Sequence, residues 1–434
     1  MVVSIPSTAK AARFFTPVAG VLPAGIVTTN VFDATVGTYT NMATIYWNTD
    51  QFNTQGQQWE AVNPSDVTVG VRNAATPRIN TSDSNNHFMH VTEFEFLFTG
   101  LQFEIQFTAT TSYDMQVWIE WGERMWRVQT EPLAGTTAGT MYRRITFASP
   151  YHGRIRVHLG GGTFVGVVSE QSSIITASPD RLFGICDGDS WADGLGFKQV
   201  SGKSYWTAGL CDFLFERTGI VWARRAQGET GFFTNGTATV IDDTSDSTNS
   251  TRFFSASRKA WLTGNGPSGV SDFSDKPLFY LLNGTWNDGS RSGATGSANG
   301  SMATWALDCY QWVRSQDALC SIVHVSPEPY NGGGSAGDEN GPPTVGNAHD
   351  LNRQEQQLAI AQVSRASYVN AFGPSVPWWS GSGSAGSPAT SQQADLIGAD
   401  GVRPTYHGFD FYAGMIANEL GQIRVPVARA RRLS

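Results

Sequence analysis

LFGICDGDSWADG, residues 182–194, decides the fold. It opens on apolar residues and passes at once into Asp187, Gly188, Asp189 and Ser190. A short apolar run that stops at Gly and Asp reads as a strand buried on both faces. The pattern recurs downstream as GIVWARR (219–225), PLFYLL (277–282), CSIVHVS (320–326) and ASYVNAF (366–372). Amphipathic segments lie between and after these runs: WTAGLCDFLFERT, RKAWLTG, MATWALDCYQWVRSQ, LNRQEQQLAIAQV and HGFDFYAGMIANEL. In the third, Ala303, Ala306, Leu307, Tyr310 and Val313 recur at helical spacing. Strand and helix in alternation predict a five-stranded parallel sheet with helices on both faces, a three-layer α/β/α arrangement over 179–425. Such sheets bind ligands beyond the carboxyl ends of their strands.

Upstream the pattern changes. FEFLFTG, LQFEIQFTAT, MQVWIEWG, RMWRVQT, RITFAS, RIRVHLG and TFVGVVSE are short aromatic or β-branched runs between turn residues. They predict a β-sandwich or jelly roll over 1–178, with an irregular arm at its start. The Pro-containing stretch ITASPDR (175–181) reads as the linker, and 426–434 as a basic tail. The whole is thus expected to be a multidomain β plus α/β protein.

Composition narrows the function. The chain has 434 residues, 29 Lys plus Arg, 37 Asp plus Glu and a formal net charge of -8. No block of five or more basic residues is present, so nucleic acid is not an expected partner. No apolar run reaches the roughly 18–20 residues that span a bilayer. The first residues, MVVSIPSTAKAARFF, lack the charged-then-apolar order of a signal peptide. Cys186, Cys211, Cys309 and Cys320 show no zinc-ligand spacing, and reduced buried thiols are expected. Synthesis in a reducing cytoplasm follows as an expectation. Neither metal nor cofactor is expected. His87 and His90 lack a third ligand nearby, and Asp242, Asp243 and Asp246 lack the spaced loop of a calcium site.

The strand ends carry the chemistry. Ser190 follows the first strand, where a hydroxyl and its own N–H can face a carbonyl. Gly228 and Gly231 follow the second and let backbone N–H groups approach an anion. Asn287, in the NGTWNDGS segment after the third, offers an amide donor, and also sits in a common turn sequence. Asp400 and His407 precede and open the last amphipathic segment, and together could form an oriented general base.

These four blocks resemble the SGNH hydrolases, also called GDSL esterases, over about residues 182–420. The resemblance implies Ser190 as nucleophile, Asp400 as the aspartate of the last block, and an oxyanion hole of Ser190, Gly231 and Asn287, with Gly228 as rival to Gly231. The family pattern Asp-x-x-His-Pro stands here as Asp400-Gly401-Val402-Arg403-Pro404. A guanidinium holds its proton and has no acceptor, so Arg403 cannot take a proton from serine. His407 is the nearest replacement. The competing reading makes it a surface histidine and leaves Arg403 to pair with Asp400.

His324 lies within a strand and reads as a packed histidine, whereas His349 lies in a loop before a helix. Asp189, Trp191, Trp286, Trp378, Trp379 and Arg403 are candidate substrate-binding residues. The long segments 327–350 and 373–395 are candidates for shaping specificity. A β-rich unit ahead of an SGNH unit is similar to carbohydrate esterases and to phage tail-associated esterases. The resemblance implies deacetylation of a polysaccharide through an acyl-enzyme on Ser190. The alternative is a virion structural or glycan-binding protein with a degenerate site, and the Arg-rich end (Arg424, Arg429, Arg431, Arg432) is a candidate for docking to an assembly.

Overall fold

The computed structural model describes residues 2–3, 20–35, 42–55, 57, 59–61, 65–66, 68, 71–73, 91–122, 124–193, 205–226, 230–233, 252–265, 270–284, 288, 302–326, 348–370, 383–384, 387–388, 404–423 and 425–426.

The β-rich sequence forms one large antiparallel sheet of nine strands. They are β1 (Val27–Asp33), β2 (Met42–Tyr46), β3 (Trp59–Ala61), β4 (Val71–Asn73), β5 (Val91–Trp121), β6 (Arg124–Arg127), β7 (Leu133–Gly135), β8 (Gly139–Glu170) and β9 (Ile174–Ala177). Several short runs of the sequence merge here. FEFLFTG, LQFEIQFTAT and MQVWIEW lie within β5, and RITFAS, RIRVHLG and TFVGVVSE within β8. A straight strand of 31 residues would span about 100 Å, so β5 and β8 must bend. Their register shows this: Gln106 pairs with Gly166 on one side and Tyr142 on the other. The bends touch, since a Cβ on Gly161 (φ +67°) would lie 2.2 Å from the Ser112 carbonyl oxygen. Only glycine fits there.

Alternation sends Phe94, Phe96, Phe98, Phe103, Ile105 and Phe107 into one apolar cluster with Ile145, Ile155, Val157 and Leu159. Glu93 and Glu95 alternate with those phenylalanines, yet both are buried. Their face is covered by the second half of the chain.

That half builds a five-stranded parallel sheet from β10 (Phe183–Gly188), β11 (Val221–Arg224), β12 (Phe279–Asn283), β13 (Ser321–Val325) and β14 (Ala366–Val369). The spatial order is β11-β10-β12-β13-β14, parallel throughout. β10, β11, β12 and β13 are buried at every position, which is why they read as continuous apolar runs. The helices are α1 (Ser190–Asp193), α2 (Leu210–Thr218), α3 (Ala256–Ala260), α4 (Met302–Gln316), α5 (Ala348–Ile360) and α6 (Tyr406–Leu420).

Two apolar clusters cover the two faces. Phe213, Leu214, Phe409, Tyr412 and Ile416, from α2 and α6, meet Cys186, Phe279, Leu281, Val323 and Val325. Ala306, Tyr310, Val313, Ala359 and Ile360, from α4 and α5, meet Ile185, Tyr280, Leu282 and Ile322. Local signals set the helix ends. Gly219 closes α2 at φ 68°, its N–H donating to the Phe215 carbonyl. The Thr405 hydroxyl caps α6 by accepting from Gly408 N at 3.1 Å.

The seam between the sheets is a buried ion-pair network. Arg224 on β11 reaches Glu93 on β5 at 2.5 Å and also pairs with Asp212 on α2. Arg156 on β8 reaches Glu93 at 2.6 Å. His158 Nδ1 lies 2.6 Å from Asp212, while its Nε2 accepts from Arg156 Nε at 2.9 Å. Burial holds His158 below its usual range, with Glu93, 3.2 Å from Nε2, pulling the other way. Glu93, His158 and Asp212 lie close enough together to hold a metal. The guanidinium groups of Arg156 and Arg224 already donate to the Glu93 and Asp212 carboxylates, so these oxygens are engaged in ion pairs.

Candidate active site

In the order β11-β10-β12 the chain leaves β10 for one neighbour and returns to the other, so the crevice beyond β10 is the switch point. Ser190 stands there, the first residue of α1 and 9% exposed. The turn that carries it depends on glycine. Gly188 has φ +153°, and a Cβ there would lie 1.8 Å from the Asn283 carbonyl oxygen. That closeness lets Asp189 N donate to the same oxygen at 3.1 Å, locking the turn to the end of β12. The Asp189 carboxylate folds back to accept from Trp191 N at 3.0 Å. Gly284, at φ +131°, leaves room for it, since a Cβ would meet Asp189 Cγ at 2.5 Å. Trp191 is buried, its ring edge-on to Tyr412 of α6 at 5.1 Å. Asp189 and Trp191 are therefore built into the support of Ser190.

Charged groups lie under this turn. Asp187 at the end of β10 accepts from Arg258 Nη2 at 2.5 Å and from the Tyr280 hydroxyl at 2.5 Å. The same guanidinium donates to the carbonyls of Gly188 (3.1 Å) and Arg225 (2.8 Å) and to the Thr230 hydroxyl (3.1 Å). Arg258 thus ties the ends of β10 and β11 to the loop carrying Gly231. Replacing one partner would strand a buried charge.

Gly231 faces a carboxylate. Asp288, fully buried, accepts from Phe232 N at 2.7 Å and Phe233 N at 3.0 Å. A Cβ on Gly231 would lie 2.3–2.5 Å from that carboxylate, so glycine is required. Asp288 is the residue after Asn287 in the chain. The structure therefore brings together Ser190, Gly231 and the end of the segment bearing Asn287. Asn287 itself, Trp286, Gly228, Asp400, Arg403, Trp378 and Trp379 lie outside the described residues, as do 327–347 and 371–382.

His407 is placed differently. It is the second residue of α6 and exposed, with its ring edge-on to Tyr406 at 5.5 Å. The buried face of α6 carries Phe409, Tyr412, Ala413, Ile416 and Leu420. At about 100° per residue His407 lies on the side opposite Phe409. Among the described residues no hydrogen bond joins His407 to Ser190. His324 is packed, as its sequence context suggests: burial pushes it down to about 3, and Nδ1 shares a hydrogen bond with the Tyr310 hydroxyl.

Sequence reading missed Asp288 and Arg258. Asp288 sits in an Asn-Asp-Gly triplet whose turn reading was adequate by itself. Arg258 opens an amphipathic segment, and its partner Asp187 is 71 residues away in sequence. A charged residue directly after the candidate oxyanion asparagine was the one available signal.

No protein-family model matches the chain, and no curated protein matches it. Solved structures do. The structure of a family two carbohydrate esterase from Clostridium thermocellum, in complex with cellohexaose, is 14% identical, with a TM-score of 0.51 over 86% of this chain and 100% of that one. The salicylyl-acyltransferase SsfX3 from a tetracycline biosynthetic pathway is 11% identical, with a TM-score of 0.50 over 87% of this chain and 96% of that one. Shares of this size exceed the parallel-sheet half, so the likeness takes in both sheets. The likeness is one of fold, and the five-stranded parallel sheet with its helices is the SGNH-like arrangement expected over 179–425.

Proposed function

We propose that the chain is a serine esterase of the SGNH type that removes O-acetyl groups from a polysaccharide. The observation that carries this reading is Ser190 at the switch point, with Gly231 and Asp288, the chain neighbour of Asn287, at the same strand ends. Ser190 Oγ attacks the ester carbonyl and gives its proton to the base. The oxyanion is held by the N–H groups of Ser190 and Gly231 and by the Asn287 amide. Collapse releases the sugar alcohol, which takes the proton, and leaves an acetyl-enzyme. Water repeats the sequence and frees acetate.

Asp400 and His407 are the proposed orienting acid and base. With His407 on the outer side of α6, this requires its first turn to rearrange when substrate binds, against the Thr405 cap and the Arg127–Tyr406 hydrogen bond. The cellohexaose complex of the structurally similar esterase supports a glycan substrate. We also propose the division into a jelly-roll-like unit over 1–178, the esterase unit over 179–425 and a basic tail over 426–434.

A second reading, a virion glycan-binding protein with a non-hydrolytic site, is favoured by Arg403 at the expected histidine and by the outward placement of His407. Hydrolysis of a small activated acetyl ester and of acetylated glycans separates the two. The esterase reading expects turnover that falls by roughly 10⁴-fold or more in Ser190→Ala. Retained turnover in that variant contradicts it, and glycan binding without turnover in the wild type selects the second reading.

A further inference from the structure

We infer that Asp288 is a positioning residue that aims the oxyanion-binding N–H of Gly231; the inference rests on the esterase reading above. The peptide unit joining Gly231 to Phe232 is held at both ends. Its carbonyl accepts from Phe253 N at 2.8 Å, and its N–H donates to Asp288 at 2.7 Å. A planar unit pinned at both ends has a fixed orientation. The next N–H, of Phe233, ends on the other oxygen of the same carboxylate at 3.0 Å. Two dihedral angles then separate the fixed plane from the Gly231 N–H. The carboxylate packed against Gly231 Cα, within 2.3–2.5 Å of where a Cβ would stand, limits both.

Asp288 is itself immobilised. It is fully buried, and its carbonyl accepts from Asn352 Nδ2 of α5 at 3.3 Å. The tethered rings are anchored too, Phe232 on Phe253 at 5.3 Å and Phe233 on Trp305 at 5.4 Å. Asp288, the chain neighbour of the proposed donor Asn287, therefore holds the loop of another, Gly231. The chemistry requires a carboxylate. Two N–H groups need two acceptor oxygens, whereas an amide offers one and turns an NH₂ towards the second N–H.

The consequence is specific to the transition state. An oxyanion donor acts where charge develops, so misaiming it lowers kcat and leaves ground-state binding in place. Asp288→Asn is expected to lower kcat by about 10²-fold with KM changed less than about twofold. Affinity for a boronic acid that forms a tetrahedral adduct on Ser190 should fall by a similar factor. Amide exchange at Phe232 and Phe233 should quicken in the same variant. Gly231→Ala should reproduce the kcat loss, and the double variant should lose little more.

A purely structural role would lower the unfolding temperature and leave kcat per folded active site unchanged, which overturns the inference. An Asp288→Asn enzyme with unchanged kcat and boronate affinity overturns it as well. A wild-type chain inactive on every acyl ester overturns the esterase reading, and this inference with it. Activity with an indifferent Asp288 overturns the inference alone.

Discussion

Ser190 and His407 define the residue scale. Ser190 was legible because its chemistry is tied to a local event, a buried strand stopping at Gly-Asp-Ser, and Gly188 keeps that event local. Its close approach to Asn283 is one that only a residue without Cβ allows. His407 was legible only as the histidine nearest to the place where Arg403 stands. Spacing along the chain says nothing about which side of a helix turn faces the cleft, and His407 lies on the outer side. The two possibilities differ in a measurement. If the first turn of α6 rearranges around substrate, His407→Ala lowers kcat by roughly 10⁴-fold, whereas Arg403→Ala stays within about tenfold of the wild type. Loss confined to Arg403→Ala would refute His407 as the base.

At the scale of elements, four of the five parallel strands were readable because complete burial writes a continuous apolar run. The long antiparallel strands were not. Their bends at Gly100 and at Gly160–Gly162 resemble ordinary turn signals, so β5 and β8 each read as several strands. Contacts between elements were hidden too, and α6 shows how much they matter. Arg127 of β6 donates to the Tyr406 hydroxyl at 2.9 Å, and that hydroxyl donates to the Thr130 carbonyl at 3.2 Å. The Tyr406 ring meets Phe213 of α2 edge-on at 5.0 Å. The antiparallel sheet thus grips Tyr406, next to His407 and three residues before Phe409 with its contact to Trp191. Arg127→Ala should cost about 1.5–3 kcal/mol of unfolding free energy, as loss of a hydrogen bond from a charged donor does. It should also quicken amide exchange over 406–409. Denaturant titration and exchange would check both, and a variant unchanged in both would refute the grip.

At the scale of the molecule, the two large sheets are joined through buried charge. Composition could not reveal this, since Glu93, the pair Arg156 and His158, and the pair Asp212 and Arg224 come from three separate stretches of the sequence. Glu216 of α2 lies beside the seam, 3.6 Å from Arg127. Burial pushes its carboxyl up to about 7, with Arg127 pulling the other way. A carboxyl raised by folding favours the folded state most below its ordinary value of about 4.5, and the benefit is lost as pH rises through about 7. Unfolding free energy of the wild type relative to Glu216→Gln should therefore fall between pH 5 and pH 8. A difference that stays flat over that range would contradict the buried carboxyl. Asp212 acts in the opposite direction. Its carboxyl is buried, yet Arg224 and His158 hold it below the usual range. Its contribution is present above about 3.8 and lost as the pH falls further.

The central claim concerns one atom, Ser190 Oγ, and an organophosphonate reads it directly. After reaction and proteolysis, mass spectrometry should find a single adduct on the peptide carrying Ser190 and none in Ser190→Ala. A wild-type chain that stays unlabelled, or an adduct that persists in Ser190→Ala, would contradict the account.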